Sequence, residues 1–165
     1  MPLFVQTLLQ SSKLWLFCRC LMALLFLFSG FAKVINVEAS FAEMQAVGLS
    51  PAWLFNYASA LILLSGSYFI LFNKAVWFGA GLLSVFLLLT IVIVHRFWEM
   101  SGMQAVISLY FALEHLAVIA GLIMAAMLRH SRKLLQQLYN PLNDQQYKIF
   151  SCQPSFDFLN ILLLF

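Results

Sequence analysis

Trp53–His95 reads WLFNYASALILLSGSYFILFNKAVWFGAGLLSVFLLLTIVIVH, two long apolar runs broken only by Asn73-Lys74. Each run is close to the roughly 20 residues that an α-helix needs to cross the hydrocarbon core of a bilayer. A two-residue polar break leaves no room for any connection other than a tight reversal, so the pair is expected as an antiparallel hairpin of membrane helices. The second span is placed at Trp53 to Phe72 and the third at Ala75 to His95.

Working outward, the composition agrees with that reading. The 165-residue chain is 64% hydrophobic and 9% charged, with a mean hydropathy of +0.95, whereas a soluble domain carries about 25% charged residues. The chain is therefore read as an integral membrane protein, long enough for one compact bundle in contact with the lipid bilayer. Its net charge of +3 is small, and nucleic acid is not expected as a partner. Toward the N-terminus, residues 1–13 form a short lead-in and Leu14 to Ala32 an uncleaved first span interrupted by Arg19. Residues 33–51 alternate Phe41, Met44 and Val47/Leu49 with Glu38, Glu43 and Gln45, and Gly48 and Pro51 are stop signals; a short interfacial helix is expected there. Toward the C-terminus, the loop Arg96 to Met103 leads to a fourth span at Gln104 to Leu128. From Arg129 a polar tail with Pro141 and Pro154 is expected to be largely unstructured, its terminal FLNILLLF too short to span. The fold class is thus all-α, four transmembrane helices in an antiparallel bundle, divided as 1–13 lead-in, 14–128 membrane domain and 129–165 tail.

Lys and Arg counts set the orientation. Lys13, Arg19, Lys74, Arg129, Arg132 and Lys133 fall on one side, against Lys33 and Arg96 on the other, so both termini are expected to be cytoplasmic. Trp53 and Trp98 on the outer side and Trp15 and Trp77 on the inner suit interfacial belts. Cys18 and Cys20, two apart on a helix, point about 200° from each other and cannot bridge. With Cys152 they make no C-x-x-C pair, and no metal centre is expected.

The ionisable groups within the spans are the candidates for function, because each is costly in lipid. Arg19, Ala23, Phe26, Gly30 and Lys33 share one stripe of the first span; Gly81, Ser84, Leu88, Ile91 and His95 share one of the third. In the fourth, Glu114 shares a stripe with Phe111, Val118, Gly121 and Ala125. Small residues mark close helix approach, so these stripes are expected to face inward, and Glu114, His115, Arg19 and Lys33 form a candidate buried polar site. His95, Arg96, Trp98 and Glu99 form a second candidate, an outer-face cluster. Counting about 1.5 Å per residue from Gln104 puts Glu114 and His115 about 15 Å deep and leaves His95 near the surface. On that count the two histidines lie too far apart in depth to ligate one haem.

The residues carry a resemblance. RCLMALLFLFSGFAKV, Arg19 to Val34, is similar to the opening motif of the DoxX family, an arginine leading an apolar run into S-G-x-x-K. His95 to Glu99, HRFWE, is similar to that family's next block, and FALEHLAVIAGLI, Phe111 to Ile123, has the shape of its last, F-x-K-N-L-A-x-x-G-G-L. Two departures stand out: the second-span glutamate and Gly-Gly of the family are replaced by ASALILLSGSY, Ala58 to Tyr68, and its last-span Lys-Asn pair by Glu114-His115. The resemblance implies a four-helix protein of the bacterial inner membrane, with relatives tied to thiosulfate oxidation coupled to quinone or to membrane oxidoreductase complexes.

Two functions fit these residues. In the first, the chain is a subunit of a membrane oxidoreductase or quinone-linked system, and because it carries no redox motif of its own it requires a partner subunit or a bound quinone. In the second it is a non-catalytic assembly partner or small-solute binder. Gly121 and Ala125 on one face also offer a surface for pairing with a second copy.

Overall fold

The computed structural model describes residues 1–151, with side chains described through residue 139. Among the described residues there are six α-helices and no strand: α1 Leu3–Gln10, α2 Ser12–Ile35, α3 Val37–Ala46, α4 Ala52–Leu71, α5 Val76–Ile93 and α6 Gly102–Ser151, with a 3-10 turn at Phe97–Glu99. Four segments, in α2, α4, α5 and α6, are long and apolar enough to cross a membrane. The residues form two compact units, Met1–Leu128 and a second beginning at Arg129.

Within the first unit α4 is the central helix, flanked by α2 and α5 and met by α3. Its buried stripe, Asn56, Ala60, Leu63, Ser67 and Ile70, follows the 3-to-4-residue helical period. The facing stripe of α2 is Arg19, Ala23, Phe26 and Gly30, as the sequence spacing predicts. Arg19 meets Ile70 and Leu71, Gly30 lies against Leu63 and Leu64 and Lys33 meets Asn56. Numbers thus rise along α2 as they fall along α4.

The α4–α5 hairpin is closed by turn chemistry that the sequence advertises. Asn73 adopts φ +58°, its N–H donates to the Ile70 carbonyl (3.3 Å), and Lys74 N–H donates to that of Phe69 (3.1 Å). This pair of bonds around a left-handed residue satisfies the last carbonyls of the helix. The same device ends α3: Gly48 at φ +79°, with Gly48 N–H to Gln45 and Leu49 N–H to Met44, both 2.9 Å. Past the hairpin turn the helices press together at two glycines. A Cβ on Gly66 would sit 2.5 Å from Leu83, and one on Gly79 would sit 2.9 Å from the Gly66 carbonyl oxygen. Phe26, Leu63, Ile70, Ala80, Leu83 and Leu87 form the core with Ile119 and Leu122 of α6.

Three expectations are corrected. The inward stripe of α5 is Val76, Gly79, Ala80, Leu83, Ser84 and Leu87, leaving Gly81 and Leu88 outside, because the glycine contacts with α4 rotate the helix by one position. The first described part of the tail is helical to Ser151, where an unstructured segment was expected; Leu134 to Leu138, LLQQL, are all strong helix formers. The last residues, FLNILLLF, and Cys152 lie outside the described residues. Gly121 and Ala125 do not offer a free face: Ala125 is buried and Gly121 faces Met22 of α2.

Candidate functional site

At the junction of α5 and α6, His95 and His115 come together. Their rings meet edge to face with centroids 5.0 Å apart, and His95 stacks on Phe111 at 5.3 Å with 27° between planes. Both imidazoles are half-buried. Phe111 and His115 are one turn apart on α6, so that helix presents a ring and an imidazole side by side and His95 from α5 closes over both.

This placement corrects the separation in depth expected from residue counting. α5 stops at Ile93, after the β-branched run Ile91, Val92, Ile93, Val94, which favours helix weakly. The chain then doubles back along α6: His95 lies level with His115, and Ser108 donates to the Met100 sulfur at 3.2 Å. α6 starts at Gly102 and its first turns pass beyond the end of α5. The two histidines are therefore neighbours.

The outer-face cluster divides. Arg96 and Glu99 pair at 3.0 Å across one turn, both with exposed side chains, a bond that holds the Phe97–Glu99 turn in shape and contributes little beyond that. Trp98 is exposed and packs its ring on Phe97 at 5.1 Å.

The candidate buried site is not one site. Glu114 is exposed: among the described side chains of α6 the buried ones are Ser108, Ala112, Ile119, Leu122 and Ala125, and at 100° per residue Glu114 falls on the flank of that face. Lys33 pairs with Glu43 of α3 at 3.6 Å, capping the α2–α3 corner. Arg19 is buried (8% exposed), and its Nη1 donates to the carbonyls of Ile70 (3.5 Å) and Leu71 (3.3 Å) while the guanidinium lies 5.4 Å from the Trp15 ring. Ile70 and Leu71 are among the last four residues of α4, whose carbonyls have no helical partner. A cation there also complements the helix dipole.

Sequence reasoning passed over Asn56, which is fully buried and donates from Nδ2 to the Lys33 carbonyl at 2.9 Å. Lys33 is among the last four residues of α2. α2 and α4 thus exchange caps: Arg19 from α2 closes the end of α4, and Asn56 from α4 closes the end of α2. A lone amide in the Asn56, Ala60, Leu63 stripe was the available signal, since polar groups in spans pair across helices. A shallow depression at the α2–α3 corner, lined by Ile35, Asn36, Val37, Glu38 and Ala39, contains none of the candidate residues.

No curated protein and no solved structure matches the chain. The DoxX family model matches residues 14–96, half of the sequence. The matched segment holds α2 to α5, with both exchanged caps and the Gly66–Gly79 crossing, and ends one residue after His95; α6, with Glu114 and His115, lies beyond it. On that match the chain belongs to the DoxX family.

Proposed function

We propose that this DoxX-family membrane protein is a subunit of a quinone-linked oxidoreductase of the bacterial inner membrane, and that His95, His115 and Phe111 hold the quinone head group. The observation that carries the reading is the pair of imidazoles in edge contact above an aromatic ring. Imidazole N–H groups are the donors that a quinone carbonyl accepts from, and an imidazole can take up or give a proton near neutral pH. Phe111 supplies an apolar face at the same position. A bound quinone supplies the two-electron chemistry for which this chain has no group of its own; the histidines orient it and stand in reach of its protons. Electrons come from a partner oxidoreductase subunit.

The membrane domain, residues 14–128, is in this reading an antiparallel bundle with both termini in the cytoplasm, residues 1–13 a lead-in and residues 129–165 a cytoplasmic extension. The opposed numbering of α2 against α4 and the short α4–α5 turn support the first point. The basic residues Arg129, Arg132 and Lys133 support the second.

The alternative, a non-catalytic assembly partner or solute binder, draws on Arg19, Asn56 and Lys33, each of which serves to join helices. Purification from bacterial membranes and lipid extraction separate the two. Quinone retained by the wild-type chain and lost from His115→Ala supports the first; a bundle free of quinone, with no co-purifying redox subunit, supports the second.

A further inference from the structure

The four acidic residues among the described side chains lie in one half of the bundle. Lys33 holds Glu43 of α3, and Glu38 shares that helix; Arg96 holds Glu99 past the end of α5, and Glu114 precedes His115, which lies against that end. The opposite end, where Arg19 meets the last turn of α4, has Lys13 and Lys74 and, among the described residues, no acid. α6 travels toward that end. Gly121 lies against Met22 of α2, so Leu128, seven residues and about 10 Å further along, comes level with Trp15. Tryptophan is a residue of the bilayer interface, and the residue after Leu128 is Arg129.

The second unit begins at Arg129, and α6 runs into it without a break. At 100° per residue, Arg129, Arg132, Lys133 and Gln136 fall within one arc of about 100°, and Leu134, Leu135 and Leu138 within another opposite it. The three leucines and Lys133 are exposed, and Arg129 and Arg132 are half-buried. Arg129 and Lys133, four residues apart, repel each other across one turn, and the sequence has no acid between Glu114 and Asp144. A helix with one basic and one leucine face matches the boundary between headgroups and acyl chains. A nucleic acid would satisfy the cations and leave the leucines in water, whereas a bilayer surface meets both faces and is already present where the span ends. We propose that residues 129–139 bind the surface of an anionic bilayer, with the leucines toward the acyl chains and Arg129, Arg132 and Lys133 on the phosphates of anionic phospholipids.

The test uses the full chain with its three cysteines replaced by serine and a fluorophore at Leu138→Cys, in vesicles of phosphatidylcholine with phosphatidylglycerol as the minor lipid. Spin-labelled phosphatidylglycerol should quench the label about fivefold more effectively than spin-labelled phosphatidylcholine, the scale of one cation at a charged surface. Arg129→Gln combined with Lys133→Gln should remove the preference and Arg129→Lys keep it, with helix content by circular dichroism unchanged. The same label at Gln136→Cys should be open to acrylamide in water where the one at Leu138→Cys is shielded. In the chain with its own cysteines, lipid retained through detergent purification should be enriched in anionic phospholipid, and the double glutamine variant should lose that enrichment. Equal quenching by the two lipids overturns the proposal, as does a Leu138→Cys label as open to acrylamide as that at Gln136→Cys. A label that responds to a single-stranded oligonucleotide or to inorganic phosphate, and not to phosphatidylglycerol, overturns it too, by assigning the basic face to another anion.

Discussion

The contact of α5 with α4 and the contact of α6 with α2 differ in kind. At the first, two glycines bring backbones together, so that a Cβ on Gly79 would sit 2.9 Å from the carbonyl oxygen of Gly66. At the second, a Cβ on Gly121 would sit 3.6 Å from the flexible end of Met22. α2, α4 and α5 form a tightly fitted scaffold, α2 and α4 with mutual caps; α6 adds Ile119 and Leu122 to its core and keeps Leu113, Leu116 and Ile123 outside. The difference shows how work is divided in a bundle this small. The scaffold lies within the family match, and the later helix, with Glu114 and His115, lies beyond it.

The largest effect that can break this contrast is expected at Gly79. Gly79→Ala pushes a methyl group into backbone that cannot rotate away, and overpacking of this type costs about 1–3 kcal/mol or more; detergent melts should show a marked loss of stability, with Gly121→Ala close to wild type. Equal losses at the two glycines would erase the distinction between the contacts. Next comes Arg19→Ala, which strips the α4 end of a charged donor; hydrogen bonds to charged groups contribute about 1.5–3 kcal/mol. Arg19→Lys should recover part of this, since a point charge still complements the helix end, and denaturant titration reads both. The smallest effect is expected at Lys33→Ala, where the pair with the exposed Glu43 lies at the corner of the bundle and contributes at most about 1 kcal/mol. A loss at Lys33 comparable to that at Arg19 would mean that the corner, not the exchanged caps, fixes α2 on α4.

Much of the scaffold was legible in the residues. Hydropathy located four spans, Asn73 and Gly48 marked turns because each tolerates positive φ, and the period of Arg19, Ala23, Phe26 and Gly30 gave the buried face of α2. The site was less legible, for two physical reasons. The depth of His95 depends on where α5 stops, and in IVIVH neither glycine nor proline marks the stop; only the run of β-branched residues hints at it. The direction of Glu114 depends on the rotation of α6, where a shift of one residue turns a side chain by about 100° and the apolar residues all round the helix do not choose between settings. Asn56 was readable in principle, as the one amide in its stripe.

The account's central claim is that residues from α5 and α6 form one quinone-holding site and that Glu114, beside it in sequence, is not part of it. The direct measurement is titration of the detergent-purified chain with a short-chain quinone, followed by tryptophan fluorescence quenching. His95→Ala and His115→Ala are each predicted to weaken binding about tenfold, the scale of one lost hydrogen bond to a bound group, and Glu114→Gln to leave it unchanged. Binding that is indifferent to both histidines, or that falls with Glu114→Gln alone, would contradict the account.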